Sequence, residues 1–148
     1  MPDLAQTTLQ LVDTPSESRD EAAAVELIRE LMPGAPAFDD GEVLLYGDGP
    51  VVLAGHLDTI PAQGNIPGRI ENGCVHGVGA SDMKGGVAVM VELARAGIPG
   101  RYLFFTREEV PVVEAAEGAE AEAAEGEPEG AGGSPTESSS EGGSSSEG

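Results

Sequence analysis

Two helices are predicted in the first third of the chain, where apolar residues recur at three- and four-residue spacing. Asp3 can cap the first helix, which runs to about residue 12, and the Thr14-Pro15 pair ends it. Ser18 and Glu21 have the spacing of a capping box at the start of the second helix, and Pro33-Gly34 stops that helix. The apolar stripe of the second helix consists of Ala24, Val25, Ile28, Leu31 and Met32.

Two apolar runs further along predict strands on either side of a third helix. Residues 51–55 are apolar on both faces, which is typical of a buried central strand, and residues 101–106 form a similar run. The helix between them begins at Ser81-Asp82 and ends at Gly97. This order of strand, helix and strand predicts a parallel pairing of the two strands. Further strands are predicted at 42–46 and in a hairpin of 69–71 with 74–76 around Asn72-Gly73.

The composition changes sharply near residue 113. Residues 114–148 contain only Ala, Glu, Gly, Ser, Pro and one Thr. They include ten Glu and no basic residue. Such a segment has too little apolar surface to offset the entropy of ordering, so we expect it to be disordered. The predicted organisation is therefore an α/β domain with a mainly parallel central sheet at 1–113, followed by a low-complexity acidic tail at 114–148.

The overall charge narrows the possible partners. The formal net charge is -20, with seven Lys plus Arg against 27 Asp plus Glu. This balance argues against binding to nucleic acid and against anionic membrane surfaces. No run of 18 apolar residues predicts a membrane span, and the N-terminal residues do not resemble a secretory signal. With a single Cys, these features predict a cytoplasmic protein.

Histidine and carboxylate residues follow the two predicted parallel strands. His56 and Asp58 end the first strand, Glu108 and Glu109 follow the second, and Asp82 lies at the start of the intervening helix. Because functional groups of open α/β sheets gather at the carboxyl ends of strands, we expect these residues to converge. The mixture suits zinc or a related divalent ion.

Each of these residues also has an ordinary structural explanation. His56 could be a hydrogen-bonding surface histidine, Asp58 a turn residue, Asp82 a helix cap, and Glu108 with Glu109 an exposed acidic pair. The occurrence of all five in this order, at the ends of predicted elements, favours the metal site.

Three motifs together resemble a known family. Gly-His-Leu-Asp-Thr-Ile-Pro at 55–61, Gly-Val-Gly-Ala-Ser-Asp-Met-Lys-Gly-Gly at 77–86 and Thr-Arg-Glu-Glu at 106–109 are similar to motifs of the two-zinc amidohydrolases and peptidases. This family includes succinyl-diaminopimelate desuccinylase, acetylornithine deacetylase, aminoacylase and carboxypeptidase G. Val78 stands where the family often has Arg. The resemblance implies that residues 1–113 are an incomplete N-terminal part of a zinc-peptidase-like catalytic domain.

The resemblance also implies a role for each of the five residues. His56 would bind a first zinc ion, Glu109 a second, and Asp82 would bridge both. Asp58 would fix the tautomer of His56, and Glu108 would be the general base that activates water. The implied cofactor is Zn²⁺, two per complete site, with Co²⁺ as a possible substitute. The implied substrate is a small N-acyl amino acid, with the desuccinylase reaction favoured over acetylornithine deacetylase or dipeptidase activity.

Part of the family pattern has no counterpart in this sequence. Two further metal ligands and an inserted domain that mediates homodimerisation are expected downstream, but residues 114–148 contain no His and no Asp. We therefore expect weak metal binding and little or no catalysis by the chain alone. A frameshifted coding sequence or a natural acidic tail would explain residues 114–148. The alternatives to an enzyme are a non-catalytic acidic protein and, less favoured, a loose buffer of divalent ions.

Overall fold

Helices and short strands alternate along residues 3–109, the part of the chain that the computed structural model describes. The predicted acidic tail at 114–148 lies outside the described residues, so its disorder and the domain boundary near 113 stay predictions. The elements are α1 (Leu4–Asp13), α2 (Ala22–Leu31), β1 (Phe38–Asp39), β2 (Val43–Tyr46), β3 (Val52–His56), β4 (Arg69–Glu71), β5 (Cys74–His76), α3 (Gly85–Arg95) and β6 (Arg101–Phe105).

The two N-terminal helices form where their sequence patterns predict them. The Asp3 carboxylate accepts a hydrogen bond from the Gln6 N–H at 3.3 Å and caps α1. All five residues of the α2 stripe are buried. The capping box is wrong, because α2 has no side-chain cap and Glu21 instead accepts from the Arg19 N–H at 2.8 Å. The Ser18 hydroxyl donates to the Asp58 carboxylate at 2.6 Å, since an ionised carboxylate is a stronger acceptor.

The sheet has the strand order β1-β2-β6-β3. The predicted parallel pairing of β3 with β6 is confirmed, with Val52 opposite Arg101 and His56 opposite Phe105. The sheet is mixed rather than mainly parallel, because β2 pairs antiparallel with both β6 and β1. The short turn after β2 reverses the chain direction, whereas the crossover through α3 returns the chain so that β6 runs parallel to β3 and antiparallel to β2. As a result, β6 occupies the centre, and β3 forms an edge of the described sheet with Val52 53% exposed.

One face of the sheet packs on the helices and forms the core. Leu44 of β2 and Phe104 of β6 are fully buried there, together with Ile28 of α2 and Val91 of α3. The alternate residues Leu45 and Leu103 point to the other face and are half-buried. The core therefore anchors β3 and β6 from one side and leaves their carboxyl ends accessible.

A wide, irregular turn at Ala80–Lys84 precedes α3. The prediction that the helix opens at Ser81-Asp82 is therefore wrong, because Asp82 is extended (φ -128°, ψ 97°) and α3 begins at Gly85. The peptide bond between Asp82 and Met83 is cis. Lys84 is buried, and its ammonium donates to the carbonyls of Leu11 at 2.8 Å and Thr14 at 3.1 Å. This lysine ties the turn to the C-terminal end of α1.

The predicted hairpin of β4 and β5 is confirmed, and both of its turn residues are left-handed, with φ 51° at Asn72 and 78° at Gly73. Within residues 3–109, no helix has the length and apolar character needed to cross a bilayer.

Candidate metal site at the carboxyl edge of the sheet

The candidate site lies where two parallel strands end side by side. His56 is the last residue of β3 and pairs with Phe105, the last residue of β6. Asp58 follows two residues after His56, and Glu108 and Glu109 follow β6. The turn at Ala80–Lys84 brings Asp82 to the same edge. The convergence expected from the strand order is therefore observed.

Three of the predicted residues bring potential ligand atoms to one place. One atom each of His56, Asp82 and Glu109 lie within 4.8 Å of one another. The Nε2 atom of His56 is 3.1 Å from Oδ1 of Asp82. His56 is buried and Glu109 half-buried, whereas the Asp82 side chain is 80% exposed. The cluster thus joins a fixed imidazole to a carboxylate that remains open to solvent.

The hydrogen bonds of His56 define which ring nitrogen carries a hydrogen. Nδ1 lies 3.0 Å from the backbone carbonyl of Asp58, which can only accept, so Nδ1 must donate. In the neutral ring, Nε2 would then direct a lone pair at the Asp82 carboxylate. Only a proton or another cation between the two atoms makes that approach favourable.

The electrostatic environment of His56 fits this interpretation. Burial by itself lowers the pKa of His56, but the hydrogen bonds to Asp82 and to the Asp58 carbonyl outweigh it. The negative charges of Asp58 and Glu108 act in the same direction, so that the pKa of His56 is raised above its ordinary value. The pocket around this ring therefore favours positive charge.

Asp58 is a buried carboxylate that holds two segments together. Its Oδ1 accepts from the Glu108 N–H at 3.0 Å, and its Oδ2 accepts from the Glu109 N–H at 2.8 Å and from Ser18 at 2.6 Å. Burial raises the pKa of Asp58, but these three hydrogen bonds outweigh it and hold the pKa below its ordinary value. The carboxylate is 3.6 Å from Nδ1 of His56, so the nearer contact with the ring comes from the Asp58 carbonyl.

Ser18 is the residue of this site that sequence reasoning missed. Its spacing from Glu21 pointed to a local helix cap, whereas its hydroxyl bonds Asp58, 40 residues away. No local signal distinguishes these two uses of a serine.

Glu108 lies at the margin of the cluster. Its backbone N–H donates a hydrogen bond to the Asp58 carboxylate, and its side chain is exposed. The carboxylate is not part of the three-residue group, although its charge contributes to the raised pKa of His56. Glu108 is therefore near the candidate ligands and free to face solvent.

A cleft of about 530 Å³ opens onto the cluster. Asp82 and Glu109 line it together with the polar residues Thr59, His76 and Ser81. A larger groove of about 810 Å³ lies between α1 and α3, away from the cluster. We assign the smaller cleft to the site, because it contains the candidate ligands.

The donor set fits a divalent metal ion. One imidazole nitrogen and two carboxylate oxygens are ligands that zinc accepts. Two ligands of one zinc ion, each about 2.0–2.1 Å from it, lie somewhat more than 3 Å apart, close to the 3.1 Å between His56 and Asp82. A cation at this point would also separate the facing lone pair and carboxylate.

The fold and this donor set together fit part of a zinc-peptidase-like catalytic domain. The profile of the Peptidase family M20/M25/M40 matches residues 52–138, and the chain belongs to this family. The family resemblance stated from the three motifs is thereby confirmed.

Relatives with curated names give the same family assignment. A provisionally named succinyl-diaminopimelate desuccinylase of Mycobacterium tuberculosis is 45% identical over 101 residues, covering 62% of this chain and 28% of its own length. The succinyl-diaminopimelate desuccinylase of Corynebacterium glutamicum is 37% identical over 92 residues, covering 55% of this chain and 25% of its own length. The chain thus spans about a quarter of the length of these relatives.

Solved structures support the fold. A tripeptidase from Staphylococcus aureus superposes with a TM-score of 0.59 at 21% identity, over 77% of this chain and 38% of its own. The α/β fold predicted from the sequence is confirmed by this match.

Proposed function

We propose that this chain carries part of the active site of a zinc-dependent hydrolase that cleaves N-succinyl-diaminopimelate. The observation that carries the proposal is the convergence of His56, Asp82 and Glu109 within 4.8 Å at the carboxyl edge of β3 and β6. The two relatives named as desuccinylases support this substrate over acetylornithine or a dipeptide. In the proposed pathway context, the enzyme contributes to the biosynthesis of diaminopimelate and lysine.

In this proposal, His56 and Asp82 would hold one zinc ion, and Asp82 and Glu109 would hold a second. Bound zinc would lower the pKa of a water molecule and polarise the scissile carbonyl. His56 is suited to its role because Nδ1 donates to the Asp58 carbonyl and leaves Nε2 free to bind a cation. Co²⁺ has similar ligand preferences and is the proposed substitute.

Glu108 is the proposed general base. Its exposed carboxylate would accept a proton from the attacking water and return it to the nitrogen of the leaving amine. Asp58 is the proposed positioning residue for this step, because it binds the N–H groups of both Glu108 and Glu109. The products are succinate and the free amine of diaminopimelate.

A cytoplasmic location is part of the proposal. Cys74 is exposed and has no disulfide partner, which is typical of proteins in a reducing compartment.

The first test is zinc stoichiometry of the purified 148-residue chain at equilibrium with buffered free zinc, measured by equilibrium dialysis and mass spectrometry of the metal because the site is expected to bind weakly. We expect bound zinc in the wild type, its loss in Asp82→Ala, and its retention in Asp48→Ala, a matched exposed carboxylate in the turn after β2. About two ions per chain would support the bridging role of Asp82, whereas about one would replace it with a single-ion site. No bound zinc would contradict the proposal and favour a non-catalytic acidic protein.

The second test compares substrates. Release of primary amine from N-succinyl-diaminopimelate, N-acetylornithine and a dipeptide is followed with zinc-loaded chain. Glu108→Gln should reduce any turnover by about 10²- to 10⁴-fold without releasing zinc. Faster cleavage of N-acetylornithine or the dipeptide would overturn the desuccinylase assignment and retain the metal site.

A further inference from the structure

We propose that Ser18 is a positioning residue of the candidate metal site, acting through Asp58 on the backbone of Glu108 and Glu109. The inference rests on the proposed function for its catalytic meaning, whereas the placement of these residues can be tested without metal. Neither the three motifs nor the family roles include Ser18.

The backbone around Ser18 is fixed by pairing with the segment that follows β3. The Ser18 N–H donates to the Thr59 carbonyl at 3.1 Å, and the Thr59 N–H donates to the Ser16 carbonyl at 2.8 Å. Glu17 and Thr59 form an isolated parallel bridge between these bonds. The pairing holds the Ser18 hydroxyl beside Asp58, which is the residue before Thr59.

Asp58 then connects Ser18 to the end of β6. Its Oδ2 is shared by the Ser18 hydroxyl at 2.6 Å and the Glu109 N–H at 2.8 Å. With the Glu108 N–H on Oδ1, the carboxylate has three donors and is 1% exposed. A buried carboxylate that loses one of three donors is held less firmly, so each donor helps to orient the other two bonds.

These bonds stabilise the backbone conformation of the short segment after β6. Arg107 adopts the left-handed region with φ 64°, which is unfavourable for a residue other than glycine. That conformation directs the next two N–H groups at Asp58, whose hydrogen bonds offset the strain. Glu109 contributes a potential ligand atom to the cluster, so the orientation of Asp58 sets the position of that ligand.

The matched control is Ser16, which lies in the same segment as Ser18, two residues before it, and also pairs with Thr59 through its backbone. Its hydroxyl is buried like the Asp58 carboxylate but has no hydrogen-bond partner among the described residues. Ser16→Ala therefore removes a hydroxyl from the same segment without removing a contact of Asp58. Ser18→Thr retains the hydroxyl, and Ser18→Cys preserves the size of the side chain but donates weakly.

The experiment measures amide hydrogen exchange by nuclear magnetic resonance in the metal-free chain. In Ser18→Ala, we expect exchange at the N–H groups of Glu108 and Glu109 to accelerate about tenfold, with β6 amides such as that of Phe104 unchanged. The exchange rates in Ser18→Thr and Ser16→Ala should match those of the wild type. The rates in Ser18→Cys should lie between those of the wild type and those of Ser18→Ala. If Ser18→Ala does not fold, Ser18→Cys supplies the same comparison. Unchanged exchange at Glu108 and Glu109 in the folded variants would overturn the proposal.

A Co²⁺ titration then tests the consequence for metal binding. Ser18→Ala should weaken Co²⁺ binding about 10- to 100-fold and alter the visible spectrum of the bound ion, with rescue by Ser18→Thr. Equal affinity and spectra in wild type and Ser18→Ala would limit Ser18 to a structural role and contradict the positioning role. Failure of the wild type to bind metal would instead count against the proposed function, and the exchange measurement would still decide the placement.

Discussion

The buried lysine that ties the Ala80–Lys84 turn to α1 should give the chain an unusual dependence of stability on pH. Lys84 is 3% exposed and donates to the carbonyls of Leu11 and Thr14. Burial lowers the pKa of Lys84 from 10.5 to about 8, against the opposing charge of Asp13. We consider Lys84→Met, which keeps an unbranched side chain and removes the titrating group.

The sign of the effect follows from which state binds the proton. Between pH 8 and 10.5, Lys84 is neutral in the folded chain and protonated in the unfolded chain. The unfolded chain then binds more protons, so the free energy of unfolding rises with pH. The gain is fully present above pH 10.5 and is lost as the pH falls through about 8. A shift of this size corresponds to about 3 kcal/mol.

The hydrogen bonds of Lys84 set the expected difference in the free energy of unfolding between the wild type and Lys84→Met. A neutral amine still has two N–H groups for Leu11 and Thr14, so deprotonation need not break either bond. At pH 7, Lys84→Met loses two bonds of about 1 kcal/mol each but no longer buries a charge. We therefore expect near-equal stability at pH 7, and a wild type that is more stable by about 2–3 kcal/mol at pH 10.

Urea unfolding followed by far-ultraviolet circular dichroism from pH 7 to 10 measures this difference. Other titrating groups are common to both chains and cancel in the comparison. Because the sequence contains one lysine, a chain labelled with ¹³C-lysine reports the pKa of Lys84 directly. A stability difference that stays constant with pH, together with titration near 10.5, would refute the reasoning. It would mean that the two carbonyls compensate for burial of the ammonium.

Two further predictions concern a tight turn and the metal cluster. Gly47→Ala should lower the free energy of unfolding in urea far more than Gly73→Ala does. Both glycines are left-handed, with φ angles of 75° and 78°. They differ in their surroundings, because an added Cβ at Gly47 would lie 2.2 Å from the Gly100 carbonyl oxygen, whereas an added Cβ at Gly73 would meet nothing within 4 Å. We expect about 1 kcal/mol for Gly73→Ala from left-handed strain, and at least about 2–3 kcal/mol for Gly47→Ala; equal losses would exclude the close approach. Zinc binding near pH 6 should release about one proton from His56, whose pKa is raised, and His56→Gln should abolish that release. Calorimetry in buffers of different ionisation enthalpy measures the protons, and zinc binding without proton release would contradict the assignment of His56.

The amino-acid sequence by itself predicted both N-terminal helices, the hairpin and the parallel strand pair, and with them which residues approach one another at the candidate site. Helical spacing predicted α1 and α2, and two left-handed turn residues predicted the β4–β5 hairpin, because these signals are local. The strand–helix–strand order predicted the parallel pair and hence the approach of His56 to Glu109. Local pattern plus the handedness of the crossover was sufficient for these features.

Tertiary structure decided what depended on distant contacts. The pattern of residues 51–55 could not reveal that β6 would occupy the centre of the sheet, because apolar character on both faces does not encode strand order. Ser18 bonds Asp58 rather than capping α2, since folding brings a buried carboxylate within reach of its hydroxyl. Asp58 likewise offers its carbonyl to His56 and its carboxylate to the backbone after β6. Spacing along a chain determines which groups are available, whereas competition among buried hydrogen-bond partners determines which of them are joined.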